Sequence, residues 1–295
     1  MKKIKTLVVN IILVVTAIAV MSGCGKKATV PTSTEIKNKK VIEDKKENTG
    51  GDKSDTPTVE KNTQKPVETT PAVVQQNQST TPTTPKANGK VIVIDPGHAS
   101  RSNMQTEPQA PGSNVMKIKD GGGAQGISTR TPEYVVNMNV SIKLKKYLEE
   151  KGYTVIMTKI DNSLSLGNVE RAEIWNNANA ALAIRIHADS SENSSVKGAS
   201  MLIPTNQMEC TRSIYSESKR CGEIVLSNLV KEVGMANRGV VPHDDMTGFN
   251  WSRVPVILVE MGFLSNPDED RLLSSSDYED KIAKALADGI IEAVK

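Results

Sequence analysis

Short apolar runs separated by longer amphipathic segments dominate the chain from residue 90 onward. The runs are rich in Val and Ile, which is typical of strands buried in a parallel or mixed sheet. They occupy residues 90–95, 153–158, 181–187, 198–203 and 254–260. The segments with apolar residues three and four positions apart predict helices at residues 132–151, 168–180, 212–233 and 278–294. Strands that alternate with helices predict an α/β fold, with one three-layer domain whose central, mixed and mostly parallel sheet is flanked by helices.

Capping residues mark the first helix, and a long segment without any pattern precedes it. Thr131 suits the N-cap, Pro132 the first helical position, and Gly152 the residue after the last turn. Residues 96–130 are predicted to be a loop. Its segment 121–126 matches GxGxxG but lies far beyond its strand, so we interpret it as a flexible loop over the sheet edge and not as a nucleotide site.

The N-terminal part of the chain has a different composition. Residues 1–24 hold three lysines, an apolar stretch and then Met21-Ser22-Gly23-Cys24, which favours a lipoprotein signal peptide with Cys24 as the lipidated residue. An ordinary signal peptide or a single anchor helix is the alternative. Residues 25–89 are rich in Thr, Pro and Lys and lack aromatic residues, which predicts a disordered tether. A globular domain at 90–295 would then be exported and held by lipid at the outer face of the cytoplasmic membrane.

The positive net charge belongs to the N-terminal part. Residues 1–24 carry +3, residues 25–90 carry +4 (12 Lys, 8 acids) and residues 91–295 carry −4 (22 basic, 26 acidic), which sum to the formal +3. Nucleic-acid binding needs a basic patch on the domain itself, so no nucleic-acid partner is expected. Cys210 and Cys221 would be too far apart for a disulfide on one helix, but a bridge stays open if Cys210 precedes the helix.

Three of the apolar runs lead to side chains suited to metal chemistry. The first reaches His98 through Asp95-Pro96-Gly97, the third ends at His187 and the last ends at Glu260. Ligands of open α/β sheets bind beyond the carboxyl ends of the strands, so these side chains should converge. A hydrolytic zinc takes three protein ligands and keeps one position open. From the pattern alone the third ligand is Glu133 or His243, although Glu133 would also complement a helix dipole and His243 lies in a polar stretch.

Several charged and polar residues have two interpretations each. Glu260 ends an apolar strand, where burial raises a carboxyl pKa and suits a general base, unless it pairs with Arg253 or Arg185. Arg185 shares a strand face with His187 and would contact a substrate carboxylate or pair with an acid. We interpret three further residues as anchors between a helix and the core: Arg171, Asn177 and Asn179.

Taken together, these residues resemble the zinc-dependent N-acetylmuramoyl-L-alanine amidases of the amidase_3 type. The matching segments run in order through 90–295: Ile94-Asp95-Pro96-Gly97-His98, Thr131-Pro132-Glu133, Arg171 with Asn177 or Asn179, Ile186-His187-Ala188, Asn237-Arg238-Gly239-Val240 and the segment 255–266. The resemblance implies that His98, Glu133 and His187 bind one Zn²⁺ and that Glu260 is the catalytic base and acid. It thereby favours Glu133 as the third ligand.

The resemblance also implies a substrate and a mechanism. Residues 90–295 would hydrolyse the amide between N-acetylmuramic acid and L-alanine in peptidoglycan, with a zinc-bound water and Glu260. Arg185 and Asp189 stand where the family often has Ser and Asn beside His187, and an arginine on this face would alter substrate preference or compete for Glu260. Thr158-Lys159 replaces a common Thr-Arg, which would affect only a structural pair. The rivals are a zinc peptidase that cuts inside the stem peptide, a non-enzymatic lipoprotein, and a protein that needs an unknown activator to move an inhibiting segment in 96–130.

Overall fold

The fold is a six-stranded sheet with helices on both faces. A computed structural model describes residues 88–295; Cys24, the predicted signal peptide and nearly all of the predicted linker lie outside the described residues. The strands are β1 (Val91–Pro96), β2 (Asn103–Pro108), β3 (Met116–Asp120), β4 (Thr154–Met157), β5 (Leu182–Asp189), β6 (Ala199–Pro204), β7 (Asn237–His243) and β8 (Val256–Phe263). The helices are α1 (Glu133–Glu150), α2 (Asn168–Asn177), α3 (Glu209–Val233), α4 (Thr247–Asn250), α5 (Pro267–Leu273) and α6 (Ser276–Ala293).

The main sheet has the strand order β4-β1-β5-β8-β6-β7. Strands β4, β1, β5 and β8 are parallel, β6 is antiparallel to β8, and β7 is parallel to β6. Parallel strands need crossover connections, and α1, α2 and α3 lie in those that join β1 to β4, β4 to β5 and β6 to β7. The predicted mixed, mostly parallel sheet is confirmed.

Successive side chains of the central strands point to opposite faces of the sheet and pack in two hydrophobic cores. Ile92 and Ile94 of β1 pack in a core with α1, α3 and α6, where Leu144 is fully buried. Val93, between them, packs on the other face with Trp175 of α2 and with α4. The sheet between two helical layers is the three-layer arrangement that the sequence predicts.

The prediction of a loop at 96–130 is wrong in part, because β2 and β3 form an antiparallel hairpin within this segment. Glu107 of this hairpin ties it to the body: its Oε1 accepts from the Asn168 backbone N at 2.7 Å and its Oε2 from the Val169 N at 3.0 Å. These are free N–H groups in the first turn of α2, which a carboxylate satisfies and complements. A Cβ on Gly167 would lie 2.6 Å from Glu107 Oε2, so glycine is required for this approach.

Other sequence-based expectations also need correction. Cys210 and Cys221 both lie within α3 and are free, because eleven residues of helix separate them by about 16 Å. The bridge that the sequence left open would have needed Cys210 in a loop before the helix. Strand β7 at the sheet edge, like α4 and α5, was not predicted. Among residues 88–295, no helix combines the length and apolar composition that crossing a membrane requires.

Candidate functional site

Three neighbouring strands place the candidate residues at one edge of the sheet. His98 lies two residues beyond β1, while His187 in β5 and Glu260 in β8 are register partners across adjacent parallel strands. Glu133 is the first residue of α1, whose N-terminus meets this edge. The ligand atoms of His98, Glu133 and His187, here called the ligand cluster, lie within 4.8 Å of one another.

Glu133 lies between the two histidines. Its Oε1 is 3.2 Å from His187 Nδ1, and its Oε2 is 3.5 Å from His98 Nε2 and accepts from the Ala124 backbone N at 2.8 Å. Asn137, one turn along α1, donates its Nδ2 to Glu133 Oε1 at 3.1 Å. Burial alone would raise the pKa of Glu133, but the hydrogen bond and charge of His187 and the charge of His98 outweigh it and hold the pKa at about 2. Glu133 is therefore an anionic donor at neutral pH.

His187 is a neutral donor with one nitrogen unused. Burial lowers the pKa of His187 to about 4, so the ring carries no positive charge at pH 7. Its Nε2 is buried and has no hydrogen-bond partner among the described residues. A Cβ on Gly97 would lie 2.3 Å from the His187 ring, and one on Gly123 would lie 2.7 Å from Glu133 Oε2. Two histidines and a glutamate, with a buried nitrogen lacking a partner and glycines making room, fit a catalytic zinc ion.

Asp120, which no pattern in the sequence indicated, contacts the other histidine. This buried carboxylate, at the end of β3, places its Oδ1 2.8 Å from His98 Nδ1 and also accepts from the Gly122 N at 3.0 Å. Burial alone would raise the pKa of Asp120, but these hydrogen bonds and the charge of His98 lower it. A carboxylate on the far nitrogen of a ligating histidine fixes the tautomer and ring orientation.

Glu260 has the environment of a proton-transfer group. Its side chain is partly buried, and its Oε2 has no hydrogen-bond partner in the described part of the chain. Burial, with the nearby charges of Glu133 and Asp189, raises the pKa of Glu260 well above its usual range. Within residues 88–295, neither Arg185 nor Arg253 forms an ion pair with it, so the alternative interpretation of Glu260 finds no support.

Arg185 and Arg171 share one buried carboxylate, Asp95. Arg171 Nη1 lies 2.5 Å from Asp95 Oδ1, and Arg185 Nε lies 2.8 Å from Asp95 Oδ2. Thr158 donates to the same carboxylate at 2.6 Å. Burial alone would raise the pKa of Asp95, but the two arginine charges outweigh it and hold the pKa well below its ordinary value. Arg171 is thus the anchor expected from the sequence. Of the two interpretations of Arg185, pairing with an acid is the one observed, through its Nε.

The predictions that Asn177 and Asn179 are anchors are wrong, and His243, the alternative metal ligand, lies outside the ligand cluster. Asn177 and Asn179 are exposed, whereas Asn176, one helical position earlier, accepts from the Arg253 N and donates to the Trp251 O. Each residue turns a helix by about 100°, so an error of one position moves the side chain off the packed face. His243 lies at the end of β7, outside the ligand cluster, with its Nδ1 3.5 Å from Asp245.

Two cavities meet at the ligand cluster. One, of about 300 Å³, extends past Lys119, Asn168 and Arg185 and is here called the Lys119 cavity. The other, of about 220 Å³, lies beside Gly122–Ala124 and Asp189. Both are bordered by His98, His187 and Glu260, so a molecule extending in two directions from the cluster has room on either side.

Comparison with known proteins indicates one family. A sequence profile described as N-acetylmuramoyl-L-alanine amidase (Amidase_3) matches residues 92–292. The N-acetylmuramoyl-L-alanine amidase Rv3717 of Mycobacterium tuberculosis is 27% identical over 209 residues, which cover 68% of this chain and 85% of that protein.

Solved structures share the fold. The amidase Ami1 from Mycobacterium smegmatis superposes with a TM-score of 0.64 over 71% of this chain and 98% of its own, at 23% identity. The CwlD amidase from Clostridioides difficile, solved in complex with the GerS lipoprotein, gives a TM-score of 0.57 over 69% of this chain and 98% of its own, at 27% identity. The resemblance that the sequence motifs indicate is confirmed at the level of fold and family.

Proposed function

Because the chain belongs to the N-acetylmuramoyl-L-alanine amidase family, we propose that residues 90–295 are a zinc-dependent catalytic domain. The family's activity, hydrolysis of the amide that joins N-acetylmuramic acid to L-alanine in peptidoglycan, is the activity of this chain. In the proposal His98, Glu133 and His187 hold the ion and Glu260 transfers protons. The observation that carries it is the convergence of these four side chains at one sheet edge.

The protein prepares each donor before any ion is bound. Glu133 is ionised, His187 is neutral, and the Asp120 contact directs His98 Nε2 towards Glu133. A zinc ion held there would supply Lewis-acid chemistry, which lowers the pKa of a water molecule and polarises a carbonyl. His2Glu donor sets are among those used by catalytic zinc.

Glu260 is the group that moves protons in the proposal. A raised pKa suits a carboxylate that accepts a proton from the attacking water and keeps it, as the carboxylic acid, until the proton is passed on. Glu260 would then return that proton to the departing alanine nitrogen, so no net proton is left on the protein. Its position opposite His187 in the sheet keeps it beside the ligand cluster.

The two cavities suit an amide with large groups on both sides. The glycan lies on the carbonyl side of the scissile bond and the stem peptide on the nitrogen side, and each cavity begins at the ligand cluster. A peptidase that cuts inside the stem peptide, the rival activity, would leave the alanine attached to the glycan.

Digestion of purified cell wall by the full-length protein tests this function. We expect new alanine amino groups without new reducing sugar ends, with the release lost on chelation and restored by zinc. Release that persists through exhaustive chelation would reject the zinc dependence. Amino groups from residues other than alanine would favour the peptidase.

The Glu260→Gln variant tests the proton-transfer role. We expect a fall in the hydrolysis rate of about 10²–10⁴-fold, which is the usual contribution of general acid–base catalysis, with one zinc still bound per chain. Zinc content by atomic absorption separates this result from loss of the metal. A variant that retains full activity would remove Glu260 from the mechanism.

Attachment to the membrane is a further part of the proposal. Cys24 ends a segment with the features of a lipoprotein signal, and residues 25–89 would place the catalytic domain at a distance from the membrane surface. Cys24→Ser should move the protein from the membrane fraction to the medium and abolish labelling by a radioactive fatty acid. Unchanged fractionation of this variant would reject lipid anchoring.

A protein activator is the last element. The C. difficile relative is solved in complex with a lipoprotein, and the alternative for this chain is that a partner protein must bind before it is active. Wall digestion by the purified protein alone decides between the alternatives, because full activity without any other protein would make an activator unnecessary.

A further inference from the structure

Two buried arginines that share a single carboxylate border the Lys119 cavity. Arg171 and Arg185 both border it, and Asp95 is the one carboxylate within 4 Å of either guanidinium in the part of the chain that the structure describes. One carboxylate against two buried guanidinium groups leaves a positive charge unpaired at contact distance. Buried charge without a partner is costly, so such a cluster favours an anionic ligand.

Lys119 adds a third cationic side chain to the same cavity. No acid group among residues 88–295 lies within 4 Å of its ammonium, although Lys117, two positions earlier on β3, pairs with Asp245 at 3.3 Å. The Lys119 stem passes alongside Gly167, where an added Cβ would lie 3.0 Å from its Cδ. The Lys119 stem therefore lies beside Gly167, and its ammonium has no acidic partner in the described part of the chain.

Arg185 also has hydrogen-bonding capacity to spare. Its Nε is used by Asp95 and its Nη2 donates to Asn168 Oδ1 at 2.9 Å, but its Nη1 has no acceptor in the described region. The two acids that border the cavity, Asp120 and Glu260, lie with the ligand cluster, and Asp120 is engaged by His98.

We infer that the Lys119 cavity binds the stem-peptide side of the substrate and that Lys119, with Arg185 Nη1, recognises a carboxylate on that peptide. This inference rests on the proposed function, because it assigns the two sides of the amide. The sugars next to the scissile bond carry no ionised group, whereas the residue after L-alanine carries an α-carboxylate that is either free or amidated. A cationic cavity distinguishes these two forms.

Binding of two dipeptides by the full-length protein tests the inference without any hydrolysis. L-alanyl-D-glutamate and L-alanyl-D-isoglutamine differ in the α-carboxylate against the α-amide. We expect calorimetry to show about tenfold tighter binding of the carboxylate form, as one charge-assisted pair contributes. Equal affinity for the two dipeptides would overturn the inference.

Substitutions on one strand identify the residue responsible. Lys119→Met keeps the aliphatic stem beside Gly167 and should reduce the preference to within about twofold, while Lys119→Arg should retain most of it. Lys117→Met is the matched control, because its ammonium pairs with Asp245 outside the cavity, and it should keep the full preference. A Lys119→Met protein with the wild-type preference would remove Lys119 from recognition.

Wall digestion separates this inference from the proposed function. A protein that releases alanine amino groups but binds both dipeptides equally would retain the amidase function and lose the carboxylate site. A protein that prefers the carboxylate dipeptide but releases no alanine amino groups would retain the carboxylate site and lose the amidase function.

Discussion

Asp120 orients one imidazole of the ligand cluster through a single contact, since its Oδ1 lies 2.8 Å from His98 Nδ1. Asp120→Asn keeps the shape but weakens this acceptor, so we expect zinc affinity to fall by about 10–100-fold, the usual effect of losing such a partner. Competition with a chromophoric chelator measures the affinity directly. Asp244→Asn, at an exposed position, is the control and should bind zinc as wild type does. Equal affinity in the two variants would show that Asp120 does not support His98.

Asp95 neutralises two arginines that are themselves buried. Asp95→Asn leaves both without a counter-charge, and we expect the free energy of unfolding at pH 7 to fall by about 3–5 kcal/mol. Urea unfolding monitored by circular dichroism measures this loss. Asp161→Asn changes an exposed carboxylate that bonds only to nearby Ser163, and it should alter stability little.

The stabilisation that Asp95 provides by pairing with the two arginines depends on pH. The pKa of Asp95 is lower in the folded protein than in the unfolded chain, so its stabilisation is present above about pH 4 and is lost as the pH falls below that value. The stability difference between wild type and Asp95→Asn should therefore narrow on acidification. A difference that stays constant from pH 7 to strongly acidic pH would contradict the assignment.

At the scale of elements, the β2–β3 hairpin depends on one carboxylate for its attachment to α2. Glu107→Ala removes the acceptor for two backbone N–H groups, and we expect a loss of about 0.5–2 kcal/mol, as for other helix caps. Hydrogen exchange should quicken across 103–120 more than in the main sheet. Glu173→Ala, at an exposed position of α2, should leave the hairpin amides protected. Uniform exchange in the two variants would remove Glu107 as the attachment.

The same scale explains which elements could be predicted from the sequence. Strands β1, β5 and β8 are buried on both faces, so their sequences are continuous apolar runs that can be recognised. The ends of these runs locate His98, His187 and Glu260. The hairpin and β7 are largely exposed and polar, and pairing with neighbours, not side-chain pattern, makes them strands. Asp120 was missed for this reason: its contact with His98 depends on a hairpin that has no apolar signature.

For the whole molecule, metal binding should raise the free energy of unfolding. The ligand cluster joins the β1 end, β5 and α1, so an ion that binds only the folded state adds about 2.7 kcal/mol at a free concentration of 100 times Kd. Thermal unfolding should shift upward with zinc and return on chelation. His98→Ala should abolish the shift and His243→Ala should keep it. A shift that survives His98→Ala would place the ion at another site.

The hairpin concentrates two properties on neighbouring residues: Lys119 borders the cavity proposed for the stem peptide, and Asp120 supports a candidate zinc ligand. Glu107 of the hairpin binds the first turn of α2. Residues 103–120 therefore carry both residues on one attached hairpin, here called the cassette. Transplanted into a relative together with Gly167, this cassette would transfer peptide preference and metal affinity in one step, so the two traits would be inherited as a unit.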